Sequence, residues 1–390
     1  MYKIQTLNKI SPKGLELFPR ENYEVASEIP HPDAILLRSF KMHDLELSDS
    51  LKAVGRAGAG VNNIPIEKCT ARGIPVFNTP GANANSVKEL ALMALFISSR
   101  KIVDGIIWAR HLAGQGAEVP REVEKEKSRF SGPEIRGKKL GVIGLGAIGV
   151  MVANDAEALG MKVSGFDPFI SVDSAWGLSR TVKKAASLDT LIAQSDYITV
   201  HVPLDDKTKG LINREKFALM KKGVRLLNFS RGGLVNNTDL KEALADGTLA
   251  AYVTDFPDED LIGEDNVIPV PHLGASTPEA EDNCAIMAVN QVRDFLEYGN
   301  ISNSVNFPEC NMAPSASNRI LVDNRNVPNM GGQITTLLAE TGINIVDMLN
   351  RSRGDLAHNI IDCENGVTDE VLTSIYDIEG VIMTRLIKIE

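Results

Sequence analysis

Apolar positions along the first 300 residues switch repeatedly between a period near two and a period near 3.6. Short β-rich runs followed by segments with apolar residues at helical spacing predict an α/β fold with parallel strands. The clearest instance begins at Lys139-Leu140-Gly141-Val142-Ile143, a predicted strand. Gly144-Leu145-Gly146-Ala147-Ile148-Gly149 follows, and then Val152, Ala156 and Leu159 fall on one helical face. Residues 161–167 predict a second strand that ends in a carboxylate, Asp167. Further strands are predicted at 197–202, 225–229, 250–254 and 267–270, with a helix at 238–245 capped by Thr238 and Asp239.

The pattern changes near residue 303. Residues 303–318 are rich in Ser, Asn and Pro, with few periodic apolar positions, and read as a linker. Beyond it come a strand at 319–323, a helix at 330–340, strands at 343–349 and 356–362, a helix at 367–376 and a strand at 381–389. That β-α-β-β-α-β order predicts a small open sheet with helices on one face, a ferredoxin-like α+β domain.

A chain of 390 residues exceeds one ordinary core, so two or three domains are expected. Its 43% hydrophobic and 24% charged residues suit a soluble globular protein. A net charge of −10 gains nothing from counterion release, so no nucleic-acid partner is expected. The longest clearly apolar stretch, 91–97, is far short of the ~20 residues that span a bilayer, and the first residues lack a signal-peptide core. Cys69, Cys284, Cys310 and Cys363 form no C-x-x-C pair and have no zinc-ligand spacing to histidine. Free thiols in a reducing, cytoplasmic setting and no metal are therefore expected.

A lone G-x-G-x-x-G is weak evidence, but here a strand precedes it, a helix follows and an acid ends the next strand. Gly144 permits the tight turn, Gly146 lets a pyrophosphate approach the backbone, and Gly149 lets helix and strand pack closely. The helix N-terminus offers free N–H groups and partial positive charge to a diphosphate. Asp167 can accept hydrogen bonds from the ribose hydroxyls and would repel a 2′-phosphate, which favours NAD over NADP.

Three predicted strands end in candidate chemistry. Asn228-Phe229-Ser230-Arg231-Gly232-Gly233 carries an arginine, Asp255-Phe256-Pro257-Asp258-Glu259-Asp260 an acidic cluster, and Pro271-His272-Leu273-Gly274 a histidine. Strand carboxyl ends in such a sheet face the ligand crevice. Oxidising a 2-hydroxy acid needs a planar cation for the carboxylate, a base for the hydroxyl proton and a carboxylate to orient that base. Arg231, His272 and Glu259 match these needs, and Asp260 competes with Glu259 for the last.

With these segments the sequence resembles the D-isomer-specific 2-hydroxyacid dehydrogenases over nearly its whole length. The segment 54–63, VGRAGAGVNN, matches the family's substrate loop, and GIPVFNTP at 73–80 the strand and turn that follow. SVKEL at 86–90 matches the start of the helix crossing to the cofactor domain. The resemblance implies two doubly wound domains, Rossmann- or flavodoxin-like. Residues 1–93 with 277–302 would form a discontinuous substrate domain, and 94–276 the NAD domain. It implies that Ile148, His201, Pro203, Ser230, Asp255 and Gly274 also line the cofactor, with Asp255 bonding the nicotinamide carboxamide. Arg38 and Arg56 would hold a substrate phosphate, Gly58 the carboxylate through its backbone, and Asn83 would also contact substrate. The expected reaction is oxidation of 3-phosphoglycerate, which opens the phosphorylated route to serine; another 2-hydroxy acid, or NADH sensing without catalysis, are the rivals. Relative to many family members the acidic segment is one residue short. Aligning Phe256-Pro257 puts the catalytic acid at Glu259, and aligning Asp255 puts it at Asp260.

The tail, 319–390, resembles an ACT regulatory domain. Asn324, Asn326 and Asn344 stand at effector-binding positions, which implies L-serine as effector, while Asn329 replaces a glycine frequent in relatives. An ACT-like domain that serves only assembly is the other reading. The resemblance also implies a homodimer or homotetramer, for which the apolar segment 102–112 is the candidate contact.

Overall fold

In the computed structural model, which describes residues 1–364 and 366–389, the apolar runs become strands of two parallel sheets. The chain divides into two compact units, Met1–Asn83 with Pro278–Glu390, and Ala84–Thr277.

The first unit holds β1 (Tyr2–Leu7), β2 (Tyr23–Ala26), β3 (Ala34–Leu37), β4 (Ala53–Arg56) and β5 (Val76–Phe77). They pair in parallel in the order β2-β1-β3-β4-β5, a flavodoxin-like arrangement. The long helix Pro278–Tyr298 returns to cover this sheet. Its Ala288, Val292 and Phe295 bury against Leu36, Ala53 and Phe77. Contact is close enough that a Cβ on Gly55 would sit 2.7 Å from both Leu36 and Val292 side-chain atoms.

The second unit contains β6 (Lys139–Ile143), β7 (Lys162–Phe166), β8 (Lys183–Lys184), β9 (Tyr197–Val200), β10 (Val224–Asn228), β11 (Leu249–Thr254) and β12 (Val267–Pro269). All seven are parallel, in the order β12-β11-β10-β9-β6-β7-β8. Helices cover both faces, so the central strands read as continuous apolar runs; all four residues of β9 are buried. Chain direction across the sheet reverses between β6 and β9, the switch point where such folds bind ligands. The helix Ala84–Ser99 goes whole with this unit. Its Ala91, Ala94 and Leu95 join the core around Val142, Val152 and Tyr197. The unit therefore begins at 84, where the sequence reading placed the crossing at 93/94. The helix expected at 238–245 is Asn237–Ala245, and its cap is Asn236, not Thr238. The Asn236 side chain accepts from the Asp239 N–H at 3.1 Å, because the helix starts one residue early and takes Thr238 into its first turn.

The tail forms β13 (Asn318–Arg325), β14 (Ile345–Arg353), β15 (Leu356–Cys363) and β16 (Val381–Lys388), with helices Met330–Glu340 and Asp369–Tyr376. The order along the chain is the β-α-β-β-α-β expected, and the antiparallel sheet runs β14-β15-β13-β16. One face buries Ile320, Val322 and Ile361 under the two helices. The other sends Leu321, Ile360 and Ile387 into the core that contains Phe77 and Phe295. That second face is also studded with paired charges. Arg319 and Asp362 are fully buried at 2.7 Å, and Arg319 Nη1 also donates to the carbonyls of Tyr298 and Met312 at 2.9 Å.

The segment read as a linker lacks regular structure but is not free. Phe307 and Cys310 are core residues. The Asn306 side chain accepts from the Val76 N–H at 2.8 Å and donates to the Ile74 carbonyl at 3.0 Å. Ser315 donates its N–H to Asp362 at 2.8 Å. The polar residues that suggested solvent are hydrogen-bond partners for β5 and β15. Among the described residues no helix is long and apolar enough to cross a membrane.

Candidate functional site

The glycine turn between β6 and the helix Ala147–Ala158 is built as its chemistry requires. Gly144 has φ +89°, and a Cβ there would lie 2.7 Å from the His201 carbonyl oxygen. A Cβ on Gly149 would sit 2.0 Å from the Gly144 carbonyl oxygen, so only glycine lets the helix lie this close to the turn. Gly146 is different: a Cβ there would meet nothing within 4 Å. It is the N-cap, and no side chain caps the helix. The helix N-terminus, with its unsatisfied N–H groups, therefore opens onto empty space that an anion can occupy. Asp167, at the end of β7, accepts the N–H of Leu145 and of Phe169, each at 2.8 Å. Its carboxylate is fixed beside the turn, with lone pairs left for a ribose. Ile148 is partly buried and packs on the core behind the turn.

The post-β9 loop carries His201 and Pro203. His201 Nε2 lies 2.9 Å from the Thr199 hydroxyl, and its Nδ1 is buried without a partner. Burial pushes its pKa down to about 4, so this ring is neutral at physiological pH. The Ser230 hydroxyl donates to the Val202 carbonyl, tying the end of β10 to this loop.

Arg231 owes its position to Asn228, which opens the same segment and to which the sequence alone assigns no role. The buried Asn228 side chain accepts the Ser230 N–H at 3.2 Å and donates to the Arg231 carbonyl at 2.9 Å. Tyr252 Oη, 3.3 Å away, is a second acceptor for the same amide. The signal was present: Asn two residues before Ser is an Asx-turn pattern. Arg231 itself is exposed, as is His272, whose ring packs on Phe256 at 4.6 Å between centroids. Partial burial of the ring and the nearby Arg231 charge both lower the His272 pKa. Asp255 is 2% exposed, and its Oδ1 has no hydrogen-bond partner. Burial raises its pKa to about 6, against the opposing pull of Arg231. Gly274 leaves room beside it: a Cβ there would be 3.0 Å from Val87 and 3.7 Å from Asp255 Oδ2.

Arg231, Asp255 and His272 thus share one electrostatic neighbourhood. Glu259 does not join it through a hydrogen bond. Glu259 and Asp260 are both exposed in a turn held by the Asp258 bond to Asn237 and by buried Leu261. Among the described residues neither acid bonds His272. In the first unit, Arg38 and Arg56 come together at the ends of β3 and β4. Arg56 Nε donates to the Arg38 carbonyl at 3.1 Å, while Arg38 Nη1 pairs with Glu281 at 2.6 Å. The Arg56 guanidinium folds over Gly58, whose φ is +145° and whose absent Cβ would lie 1.8 Å from Arg56 Nη1. Asn83 sits in the turn before the helix Ala84–Ser99.

In the tail, Asn324 is buried, accepts from Asn359 at 2.7 Å and donates to the Arg325 carbonyl at 2.6 Å. Asn326 donates to the Gly354 carbonyl at 3.1 Å, and Asn344 is exposed. Asn329 has φ +68°, a left-handed conformation that asparagine adopts more readily than most side-chain-bearing residues.

A dinucleotide fits these residues. Gly146 leaves open space where a diphosphate would lie, Asp167 would serve a ribose, and Asp255 Oδ1 has no hydrogen-bond partner in the protein. Residues 104–274 match the model of the D-isomer-specific 2-hydroxyacid dehydrogenase NAD-binding domain. The chain is 39% identical over 295 residues to a D-3-phosphoglycerate dehydrogenase of Archaeoglobus fulgidus, covering 73% of this chain and 53% of that one. It is 32% identical over 355 residues to the D-3-phosphoglycerate dehydrogenase of Haemophilus influenzae, covering 88% and 83%. It spans about half the length of the first curated relatives it matches. Its fold matches a crystal structure of NAD+-bound 3-phosphoglycerate dehydrogenase from Entamoeba histolytica with a TM-score of 0.60, at 24% identity over 78% of this chain and 98% of the other. The chain belongs to the D-isomer-specific 2-hydroxyacid dehydrogenase family, and its second unit carries that family's NAD-binding domain.

Proposed function

We propose that the chain oxidises 3-phosphoglycerate to 3-phosphohydroxypyruvate with NAD. The observation that carries the proposal is the shared neighbourhood of Arg231, His272 and Asp255 at the carboxyl ends of the NAD-domain strands. NAD, when bound, supplies the hydride acceptor. The Arg231 guanidinium holds the substrate carboxylate through a planar fork that lysine lacks. His272 takes the hydroxyl proton; its lowered pKa keeps the ring neutral and able to accept at pH 7. Glu259, or Asp260, turns in to stabilise the imidazolium once it forms, a bond that tightens only with substrate present. Arg56 with Arg38 holds the phosphate, Gly58 offers its backbone N–H to the carboxylate, and Asn83 also contacts substrate. Phosphoglycerate is favoured by the two adjacent arginines at the ends of β3 and β4.

The tail is an ACT domain in this reading, with Asn324, Asn326 and Asn344 receiving L-serine. The protein works as a homodimer or homotetramer in the cytoplasm. The helix Ile102–Arg110 has no buried residue and exposes Ile106 and Ile107 by half, which suits a second copy.

The test is NADH consumption with 3-phosphohydroxypyruvate, glyoxylate and pyruvate, with and without L-serine. A fast rate on the phosphorylated acid, suppressed by serine, is expected. A preference for glyoxylate or pyruvate would transfer the reading to another 2-hydroxy acid, and indifference to serine would leave the tail an assembly role. His272→Ala should lose turnover while still binding NADH; near wild-type turnover would refute the base assignment.

A further inference from the structure

We propose that the second unit has a separate anion site at the amino ends of its strands, shaped for a small phosphorylated ligand with two phosphate groups. Lys139 opens β6 and Lys162 opens β7, and the parallel register places them side by side. On the next strand Lys183 pairs with Ser164 and Lys184 with Gly165. Ser164 follows Lys162 by two residues, so Lys139, Lys162 and Lys183 project from one face of three neighbouring strands. Like charges placed opposite one another weaken a sheet, so this arrangement costs stability unless something neutralises it.

Among the described residues no carboxylate does so. Four other lysines of this unit are paired: Lys216 with Asp189, Lys221 with Asp196, Lys222 with Asp246 and Lys241 with Glu264. Among the described residues none of the four cavity lysines has a carboxylate within ion-pair distance. Asp196 lies beside the site but is held by Lys221 at 2.7 Å and by the Lys139 backbone N–H at 2.9 Å.

The helix Leu188–Gln194 is too short to cover this end of the face, and a cavity of about 570 Å³ remains. The four lysines and Glu157 line it, with the hydroxyl residues Ser164, Thr181 and Thr190 beside them. Four cations against one carboxylate concentrate positive charge in a chain whose net charge is −10. Ammonium groups bind phosphate as compact point charges, as lysine does in phosphate-binding loops. The volume is that of a small-molecule site. The turn at Gly144 and the strand ends near Arg231 and His272 lie at the opposite, carboxyl ends of the strands, so cofactor binding does not use this cavity.

The experiment is calorimetric titration of the full chain with inorganic pyrophosphate, at saturating NADH and constant ionic strength. Pyrophosphate should bind the wild type. The Lys162→Gln/Lys183→Gln double variant should bind it roughly 100-fold more weakly, at about tenfold per lost charged hydrogen bond. The variant should keep its NADH affinity, which reports the fold. Without pyrophosphate it should melt above the wild type, since the like-charge array is gone. Glu157→Gln should tighten pyrophosphate binding. No binding to the wild type, or equal binding to the double variant, overturns the site; inorganic phosphate binding as tightly as pyrophosphate overturns the two-phosphate assignment.

Discussion

Asp255 lets a functional role be read as a stability cost. Its pKa is raised from 3.8 to about 6 by burial, and one oxygen has no partner. The folded chain therefore holds a proton on Asp255 that the unfolded chain has released over this pH range. Stability is full below the unfolded pKa and is lost as pH rises through the folded one. At about 1.36 kcal/mol per unit, the penalty is roughly 3 kcal/mol near pH 7.5 and roughly 1 kcal/mol near pH 4.5. Asp255→Asn removes the titration while keeping the shape. The variant's stability relative to wild type should therefore improve by about 2 kcal/mol between those two conditions. Urea unfolding of the NADH-free protein across this range measures it. A donor from the cofactor would relieve the same penalty, so NADH should bind the variant more weakly, as read by fluorescence titration. A stability difference that does not change with pH would refute the burial argument, and unchanged NADH affinity would refute the assignment of Asp255 to the cofactor.

The glycine turn predicts a contrast between two neighbouring substitutions. Gly146→Ala meets no protein atom, so its melting temperature should stay near wild type while NADH affinity falls; Gly149→Ala drives a Cβ against the Gly144 carbonyl and should lower both. Equal melting losses for the two would contradict the packing seen here. The His272 pKa is lowered by burial and Arg231, so the oxidation rate should rise with pH through a value below 6.5 and then level off. Arg231→Gln removes one of the two causes, and the acid limb of its residual rate should move to higher pH; a limb that stays in place would separate His272 from Arg231. Arg319→Met leaves Asp362 buried without its cation and should cost about 3–5 kcal/mol in chemical unfolding. A loss under about 1 kcal/mol would mean that water reaches Asp362, as it does in exposed pairs.

What the sequence made legible follows the range of the forces involved. The strand at Lys139–Ile143, the turn at Gly144 and the acid at Asp167 are encoded within a few residues of one another, and the structure places them as read. The same holds for the tail, where each predicted element lies within a few residues of the observed one. Thr238 failed as a cap for a small reason of the same kind: Asn236, two residues earlier, is also a good cap and wins the helix start. Residues 303–318 failed for a larger one. Their composition correctly predicts no helix or strand, but it cannot say that Asn306 will reach back to β5 or that Phe307 will enter a core made by residues far away in sequence.

The same division separates the parts of the site. Arg231 and His272 were visible because each sits in a short motif at a strand end. The proposed partner acid stays open between Glu259 and Asp260, which are adjacent, both exposed and, among the described residues, without a bond to His272. Asn228 shows the intermediate case. Its pattern is local, yet its importance emerges only when its amide is seen to hold the Arg231 carbonyl with Tyr252 behind it. The lysines are the extreme. Lys139, Lys162 and Lys183 are scattered over 45 positions of an acidic chain, and each alone reads as a solvated surface residue. Their conflict exists only once the register of β6 and β7 sets Lys139 beside Lys162, with Lys183 on the same face opposite Ser164. A sheet that keeps three such charges on one face, next to an uncovered cavity, preserves an arrangement that packing alone would not favour, and that is the physical reason to look there for a ligand.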